Sequence, residues 1–236
     1  MGSPVKAVFL DAAHTILKLV RPYPEMLSAG LAAFGFRVPA PEAAAVLDRC
    51  WRRVEHLFLG DTGEYTVDDE WDRRMWHDFY RMMLAELQIA DYPPELLDAI
   101  YDQFAEPSNW ELYPEVPETL RRLKEAGFTV GIGSNWDSSL PDILAGLGVA
   151  EMVDVTVVSA LVGCRKPGRG FFEAECAAVG LPPEEVAHVG DHPVADAKGA
   201  VESGLRSVLV WRDGSVPPAI PRVAVIRSLA ELPAVL

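Results

Sequence analysis

Cysteine is scarce in this chain: Cys50, Cys164 and Cys176 are the three among 236 residues. They are too few and too scattered for a disulfide framework or a spaced thiolate metal site, and they point to a reducing, cytoplasmic setting. Basic residues are also in deficit. Lys and Arg number 21 against 35 Asp and Glu, for a formal charge of -14. That balance excludes a broad nucleic-acid face, which needs a basic patch to neutralise phosphates. It leaves room for a local cationic pocket around a small anion. No apolar run approaches the ~20 residues needed to span a bilayer, so no membrane partner is expected. No signal peptide is visible before the first apolar strand, and no internal repeat or low-complexity tract stands out.

What is present is half hydrophobic and about a quarter charged. That is enough apolar surface for one domain with a large insertion. Strand-like apolar runs fall at Val5 to Leu10, Phe128 to Ile132, Val155 to Val158, Val186 to Val189, Ser207 to Val210 and Val223 to Ile226. Between the later ones lie helical patterns: Val116, Leu120 and Leu123 with Gly127 as a stop, then Leu140 to Leu147, Gly170 to Val179, Ala195 to Ser203, and a short one around Leu229. Strands alternating with helices of this length predict a Rossmann-like parallel sheet with helices on both faces.

The first strand and the second are more than a hundred residues apart. The intervening stretch reads as all helix: Tyr23 to Phe34, Pro41 to Leu59, Asp68 to Leu87 and Pro94 to Phe104. Breaks are expected at Gly35–Pro39, Gly60–Gly63 and Tyr92–Pro94, where Gly, Pro and Asp cluster. The expected division is an α/β core of residues 1–20 and 108–236, with residues 21–107 as an inserted helical cap. The aromatic stretch W-D-R-R-M-W-H-D-F-Y is read as packing between cap helices, and Arg21, Arg73 and Arg74 as surface arginines.

Ligands of an open parallel sheet sit beyond the carboxyl ends of its strands. Polar residues collect there. Asp11 closes the first strand in V-F-L-D-A-A-H-T-I-L, and Ser134 and Asn135 close the second in V-G-I-G-S-N-W-D. Lys166 stands in G-C-R-K-P-G, and Asp191 and Asp196 follow the fourth strand in V-G-D-H-P-V-A-D. Each alone is an ordinary cap, turn or surface residue. Together they are the parts for handling a small anion. Asp11 would attack as nucleophile, Ser134 and nearby N–H groups would hold the transferred group's oxygens, and Lys166 would offset negative charge. Asp11 and Asp191 would hold Mg²⁺, which favours carboxylates and carbonyls. A histidine metal site at His14, His188 and His192 is disfavoured, because His188 lies inside a strand whose neighbours alternate in direction.

These residues resemble the motifs of the haloacid-dehalogenase-like hydrolase superfamily along essentially the whole chain. Asp11 and Thr15 match the fixed ends of its first motif, Ser134 the second, Lys166–Pro167 the third, and Gly190, Asp191 and Asp196 the G-D-x-x-x-x-D fourth. The resemblance implies a C1 helical cap, an aspartyl-enzyme intermediate on Asp11, and most naturally a Mg²⁺-dependent phosphatase acting on a small phosphate ester. It implies catalytic roles for Asp11, Ser134, Lys166 and Asp196, and metal binding by Asp11, the carbonyl of Ala13 and Asp191. Substrate contacts are expected from Ser134, Asn135, Lys166 and His14.

The chain departs from the pattern at Ala13, where phosphatases of the family carry the aspartate that protonates the leaving group and activates water. His14, which replaces the usual glycine, is a substitute by position only. A metal-independent 2-haloacid dehalogenase, whose halide leaves without a proton, is one alternative. A catalytically weakened ligand-binding or regulatory protein is another. A small anionic molecule is the expected partner, and a monomer or homodimer the expected assembly.

Overall fold

The computed structural model describes residues 4–59 and 67–236. Its centre is a six-stranded sheet: β1 (Ala7–Leu10), β4 (Thr129–Ser134), β5 (Val155–Val158), β6 (Val186–Gly190), β7 (Arg206–Val210) and β8 (Val223–Ile226). A separate two-stranded sheet pairs β2 (Leu17–Leu19) with β3 (Trp110–Leu112) in antiparallel fashion. The large sheet has the order β5-β4-β1-β6-β7-β8, with all neighbours parallel. The chain therefore leaves β1 on one side to build β4 and β5, then returns to its other side for β6 to β8. The crevice at this reversal is where an α/β sheet binds its ligand.

Alternation along β1 splits the core into two layers. Val8 and Leu10 pack on one face against Leu120 and Leu123 of α5 (Val116–Glu125) and Leu140 of α6 (Leu140–Gly146). Ala7 and Phe9 pack on the other with Phe171 and Phe172 of α8 (Arg169–Val179). Period-two side chains on a strand covered on both faces must all be apolar, and all four residues of β1 are buried.

The insertion is helical: α1 (Tyr23–Ala33), α2 (Ala40–Leu59), α3 (Asp69–Glu86) and α4 (Glu95–Tyr101). It has its own core around Leu31, Val46, Phe79, Met83, Leu96 and Ile100. Trp51, Trp76 and Phe79 meet there as stacked or edge-on rings, so the aromatic stretch is chiefly packing. Asp68 caps α3 by accepting the Trp71 N–H at 2.7 Å. The break expected at Gly60–Gly63 lies outside the described residues.

Three details differ from the sequence expectation. The β2–β3 ribbon was not anticipated; it ties the start of the insertion to its end. The helix expected over Ala195 to Ser203 begins earlier, as a π-helical stretch Pro193–Lys198 that runs into α9 (Gly199–Glu202). A short α7 (Ser159–Val162) follows β5 directly. Among the described residues, no helix is long and apolar enough to cross a membrane.

Candidate active site

Asp11 follows β1, and its N–H bonds to the Val189 carbonyl of β6, so the backbone leaves the sheet in a fixed direction. The next residues make one tight turn. The Ala12 carbonyl accepts from the N–H groups of Thr15, Ile16 and Leu17, while His14 N–H bonds to Leu17 O. The carbonyl of Ala13 takes part in none of these turn bonds. His14 turns the chain with φ of 59°, a left-handed conformation in which glycine is at ease.

One carboxylate oxygen of Asp11 collects two donors. Ser134 Oγ, at the end of the adjacent β4, donates to Asp11 Oδ1 at 2.9 Å, and Lys166 Nζ donates to the same atom at 2.7 Å. Lys166 is 2% exposed and spends its other N–H bonds on Gly133 O at 3.0 Å and Asp196 Oδ1 at 2.5 Å. Burial alone would strip its proton. Asp11 and Asp196 outweigh that and raise its pKa, so the ammonium persists.

Asn135, expected to touch substrate, has its side-chain amide engaged with the Lys166 backbone. Its Nδ2 donates to Lys166 O at 2.9 Å, and its Oδ1 accepts the Lys166 N–H at 2.8 Å. Both ends of the amide are used to clamp the backbone that carries the lysine.

Asp196 is saturated in the same way. Oδ1 accepts from Lys166 and from His188 Nε2 at 3.0 Å, and Oδ2 accepts the His192 N–H at 2.8 Å. Burial would push its pKa up, but Lys166 and His188 hold it well below the usual carboxylate range. His188 in turn meets Glu175 Oε1 through Nδ1 at 2.8 Å, and both residues are fully buried. Burial works against the imidazolium, yet Glu175 and Asp196 raise its pKa to about 9, so it is charged at neutral pH. The result is a continuous buried chain of alternating charge: Asp11, Lys166, Asp196, His188, Glu175. Glycines make the close approaches possible. A Cβ at Gly133 would fall inside the Glu175 carboxylate, and one at Gly190 inside that of Asp196.

Sequence reasoning missed Glu175 and set His188 aside. A signal for Glu175 existed: it falls one helical turn after Phe171 on the apolar stripe of α8.

Carboxylate oxygens of Asp11, Asp191 and Asp196 lie within 4.8 Å of one another. Asp196 has both oxygens occupied by N–H donors, which leaves Asp11 and Asp191 as the acidic pair. Burial, then the charges of Asp196 and Asp11, push Asp191 well above the usual carboxylate range. Counting the buried chain and Asp191, four carboxylates face two cations. Once Asp191 ionises the surplus is two negative charges, and with the oxygen-only donor set and the Ala13 carbonyl, which takes none of the turn's hydrogen bonds, that fits a hard divalent cation.

His14 is exposed. It lines a cavity of about 230 Å³ with Tyr113, Asp191, Arg212 and Asp213, beside the Asp191 carboxylate, and neither Asp11 nor Ser134 is among the lining residues. Arg212, which sequence reading also overlooked, follows β7. It braces the first motif by donating to Thr15 O at 2.9 Å while pairing with Glu115 at 2.6 Å.

The helical insertion reaches the loops that carry the site. Asp69 accepts from Ser138 N–H at 2.8 Å and Ser138 Oγ at 2.6 Å. The Tyr101 hydroxyl lies 2.5 Å from Asp137 Oδ2, and Arg165 stacks on the Trp71 ring at 4.9 Å. Arg73 pairs with Asp98 and Asp102, and Arg74 with Glu70, so both are engaged in surface ion pairs.

Residues 5–204 match the family model of the haloacid dehalogenase-like hydrolases. The chain belongs to that family. Among curated proteins it is 29% identical over 228 residues to the mouse haloacid dehalogenase-like hydrolase domain-containing protein 3, covering 94% of this chain and 90% of that one. It is 33% identical over 149 residues to phosphoserine phosphatase of Thermus thermophilus, covering 61% and 58%. Among solved structures, the HAD-hydrolase YfnB of Bacillus subtilis, bound to magnesium, superposes with a TM-score of 0.78 at 18% identity over 99% of each chain. The L-2-haloacid dehalogenase RSc1362 superposes at 0.70 and 21% identity, covering 98% and 97%. These structural likenesses speak for the fold, with its Rossmann-like sheet and helical insertion.

Proposed function

We propose that the chain is a Mg²⁺-dependent phosphatase acting on a small phosphate ester through an aspartyl-phosphate on Asp11. The observation that carries this reading is the Asp11 carboxylate, held at the ligand-binding edge of the sheet by Ser134 and Lys166 on a single oxygen. The second oxygen is left to attack. Ser134 and the Lys166 ammonium lie where the oxygens of the transferred group would gather charge, and a preorganised donor there needs no reorganisation during the reaction. Lys166 also screens the nucleophile from the anionic substrate. Asp196, with His188 and Glu175 behind it, holds the lysine in place, and Asn135 holds its backbone.

Asp11, Asp191 and the Ala13 carbonyl would hold the Mg²⁺, which supplies charge neutralisation for the phosphoryl oxygens. Residues 21–107 act as a cap over the core of residues 1–20 and 108–236, closing through Asp69, Trp71 and Tyr101 to exclude water and select the substrate. His14, at the neighbouring cavity, contacts substrate only if the substrate extends toward Asp191. The relatives named as phosphatases support the reaction class, though not a particular substrate.

A panel of phosphomonoesters with Mg²⁺, read by phosphate release, tests this. Turnover is expected in the natural chain and lost in Asp11→Asn; undiminished turnover in that variant sinks the mechanism. Ala13 favours a second reading, 2-haloacid dehalogenation, because halide leaves without a proton. Halide release from short chloro- or bromo-acids that is unaffected by a chelator would favour it over the phosphatase.

A further inference from the structure

His192 stands where β6 gives way to the π-helical stretch, directly after Asp191. Its backbone N–H is tied to Asp196 Oδ2 at 2.8 Å, which anchors it to the acidic site. The ring caps the stretch that follows: Nδ1 accepts the N–H groups of Val194 at 3.2 Å and Ala195 at 2.9 Å. A nitrogen that accepts carries no proton, so the ring's single proton sits on Nε2. Two N–H donors aimed at Nδ1 oppose a second proton there. Burial, which outweighs Asp196, also lowers the pKa, so the imidazole is neutral at pH 7.

The first N–H groups of a helix point back out of it, so a ring that receives them on one nitrogen turns the other away from the helix. Nε2 therefore faces the crevice at the carboxyl ends of the strands. The charges around the ring are those of Asp196, Lys166 and Asp11 in the core and of Glu55 in α2 of the insertion. The ring is half-buried, and its Nε2–H meets no hydrogen-bond partner among the described residues. Ser134 and Lys166, by contrast, already donate to Asp11 Oδ1.

We propose that His192 is a substrate-binding residue whose Nε2–H donates to the oxygens of the phosphate ester that face the insertion. The inference rests on the phosphatase reading and adds a contact to it. A phosphate dianion entering this crevice meets the carboxylates of Asp11 and Asp191, and a donor locked in one tautomer offsets part of that repulsion without titrating. No proton is transferred. The contact is made in bound substrate and transition state alike, so its loss raises KM and leaves kcat.

Two variants separate the two ring nitrogens. His192→Asn keeps an oxygen where Nδ1 accepts and removes the Nε2–H. His192→Gln does the reverse: its amide N–H reaches the Nε2 position, while the capping acceptor is lost. The full chain would be assayed with Mg²⁺ for turnover of para-nitrophenyl phosphate, for calorimetric binding of inorganic phosphate and, metal-free, for thermal unfolding. His192→Asn should melt at the temperature of the natural chain yet lose about 10- to 100-fold in phosphate affinity and in kcat/KM, carried by KM, as for a lost hydrogen bond to a charged group. His192→Gln should melt about 2–4 °C lower and recover most of both. An Asn variant that binds phosphate and turns over like the natural chain would overturn the inference and leave the phosphatase reading standing, as would losses in both variants that simply follow melting temperature. Phosphate affinity lost in His192→Asn, with no turnover in the natural chain, would keep the contact and remove the phosphatase. Neither phosphate binding nor turnover in the folded natural chain would remove both.

Discussion

Replacing Glu175 by Gln tests the buried charge chain with little change of shape, since the amide oxygen can still accept from His188 Nδ1. Only the charge is lost. His188 has an ordinary pKa of 6.5 that the fold raises to about 9, with Glu175 the largest favourable contributor against the cost of burial. The folded state therefore holds this proton more tightly than the unfolded chain does. The sign follows: the stabilisation is fully present below about pH 6.5 and is lost as pH rises through about 9. Its size is about 3 kcal/mol, at about 1.4 kcal/mol per tenfold in proton affinity. His188 is 0% exposed, so solvent screening does not reduce it.

Urea unfolding of the metal-free protein, repeated between about pH 6 and pH 9.5, should show the natural chain losing about 3 kcal/mol across that range. Glu175→Gln should start about 2 kcal/mol lower near pH 7 and change much less with pH, the two converging above pH 9. Comparing the chains cancels other groups that titrate in the window. Two curves falling in parallel would refute the charged His188–Glu175 pair.

The contact between insertion and core should also respond to pH. The Tyr101 hydroxyl lies 3.0 Å from Asp72 Oδ2 as well as 2.5 Å from Asp137 Oδ2, and its one proton can serve only one of them. Burial, aided by Asp137, pushes Asp72 from 3.8 up to about 6. The contact is thus tighter when Asp72 is protonated and the Tyr101 proton is free to serve Asp137, a gain present at pH 5 and lost as pH rises through about 6. A fluorophore pair across insertion and core should report more of the closed form at pH 5 than at pH 7.5, and no pH response in Asp72→Asn; a response that persists in the variant points elsewhere. At the acidic pair, millimolar Mg²⁺ should stabilise the natural chain by about 1–3 kcal/mol. Asp191→Asn should abolish that gain while leaving the metal-free protein at least as stable, because it removes a carboxylate crowded by Asp196 and Asp11. An equal thermal shift in both chains would place the cation somewhere else.

The parts of the molecule legible in the sequence are those written in local pattern. The strands of the large sheet are short, mostly apolar runs, and β1, β4 and β6 each reach a polar residue at the carboxyl end, so Asp11, Ser134 and Asp191 could be set at one edge from the sequence alone. The β2–β3 ribbon carries no such mark: L-K-L and W-E-L are three residues each and exist as strands only through pairing across the whole insertion. The work of Asn135 was equally hidden. An amide after Ser134 looks like a ligand for substrate, and only the path of the distant Lys166 loop shows what it binds.

His188 is the sharpest case. Alternation in β6 places His188 on the face opposite Ala187 and Val189, and that reasoning dismissed it as a metal ligand. The same alternation, joined to the phase of α8, puts His188 and Glu175 face to face beneath Lys166, where neither can meet a solvent-borne ligand. Burying a histidine and a glutamate costs several kcal/mol unless they are paired. Here the pairing continues without a gap to Asp11. The arrangement around Asp11 and Lys166 is therefore held from below by charge, in a layer whose members stand apart in sequence and carry no motif of their own. A variant screen confined to the four motifs would miss it, whereas a stability profile against pH would find it.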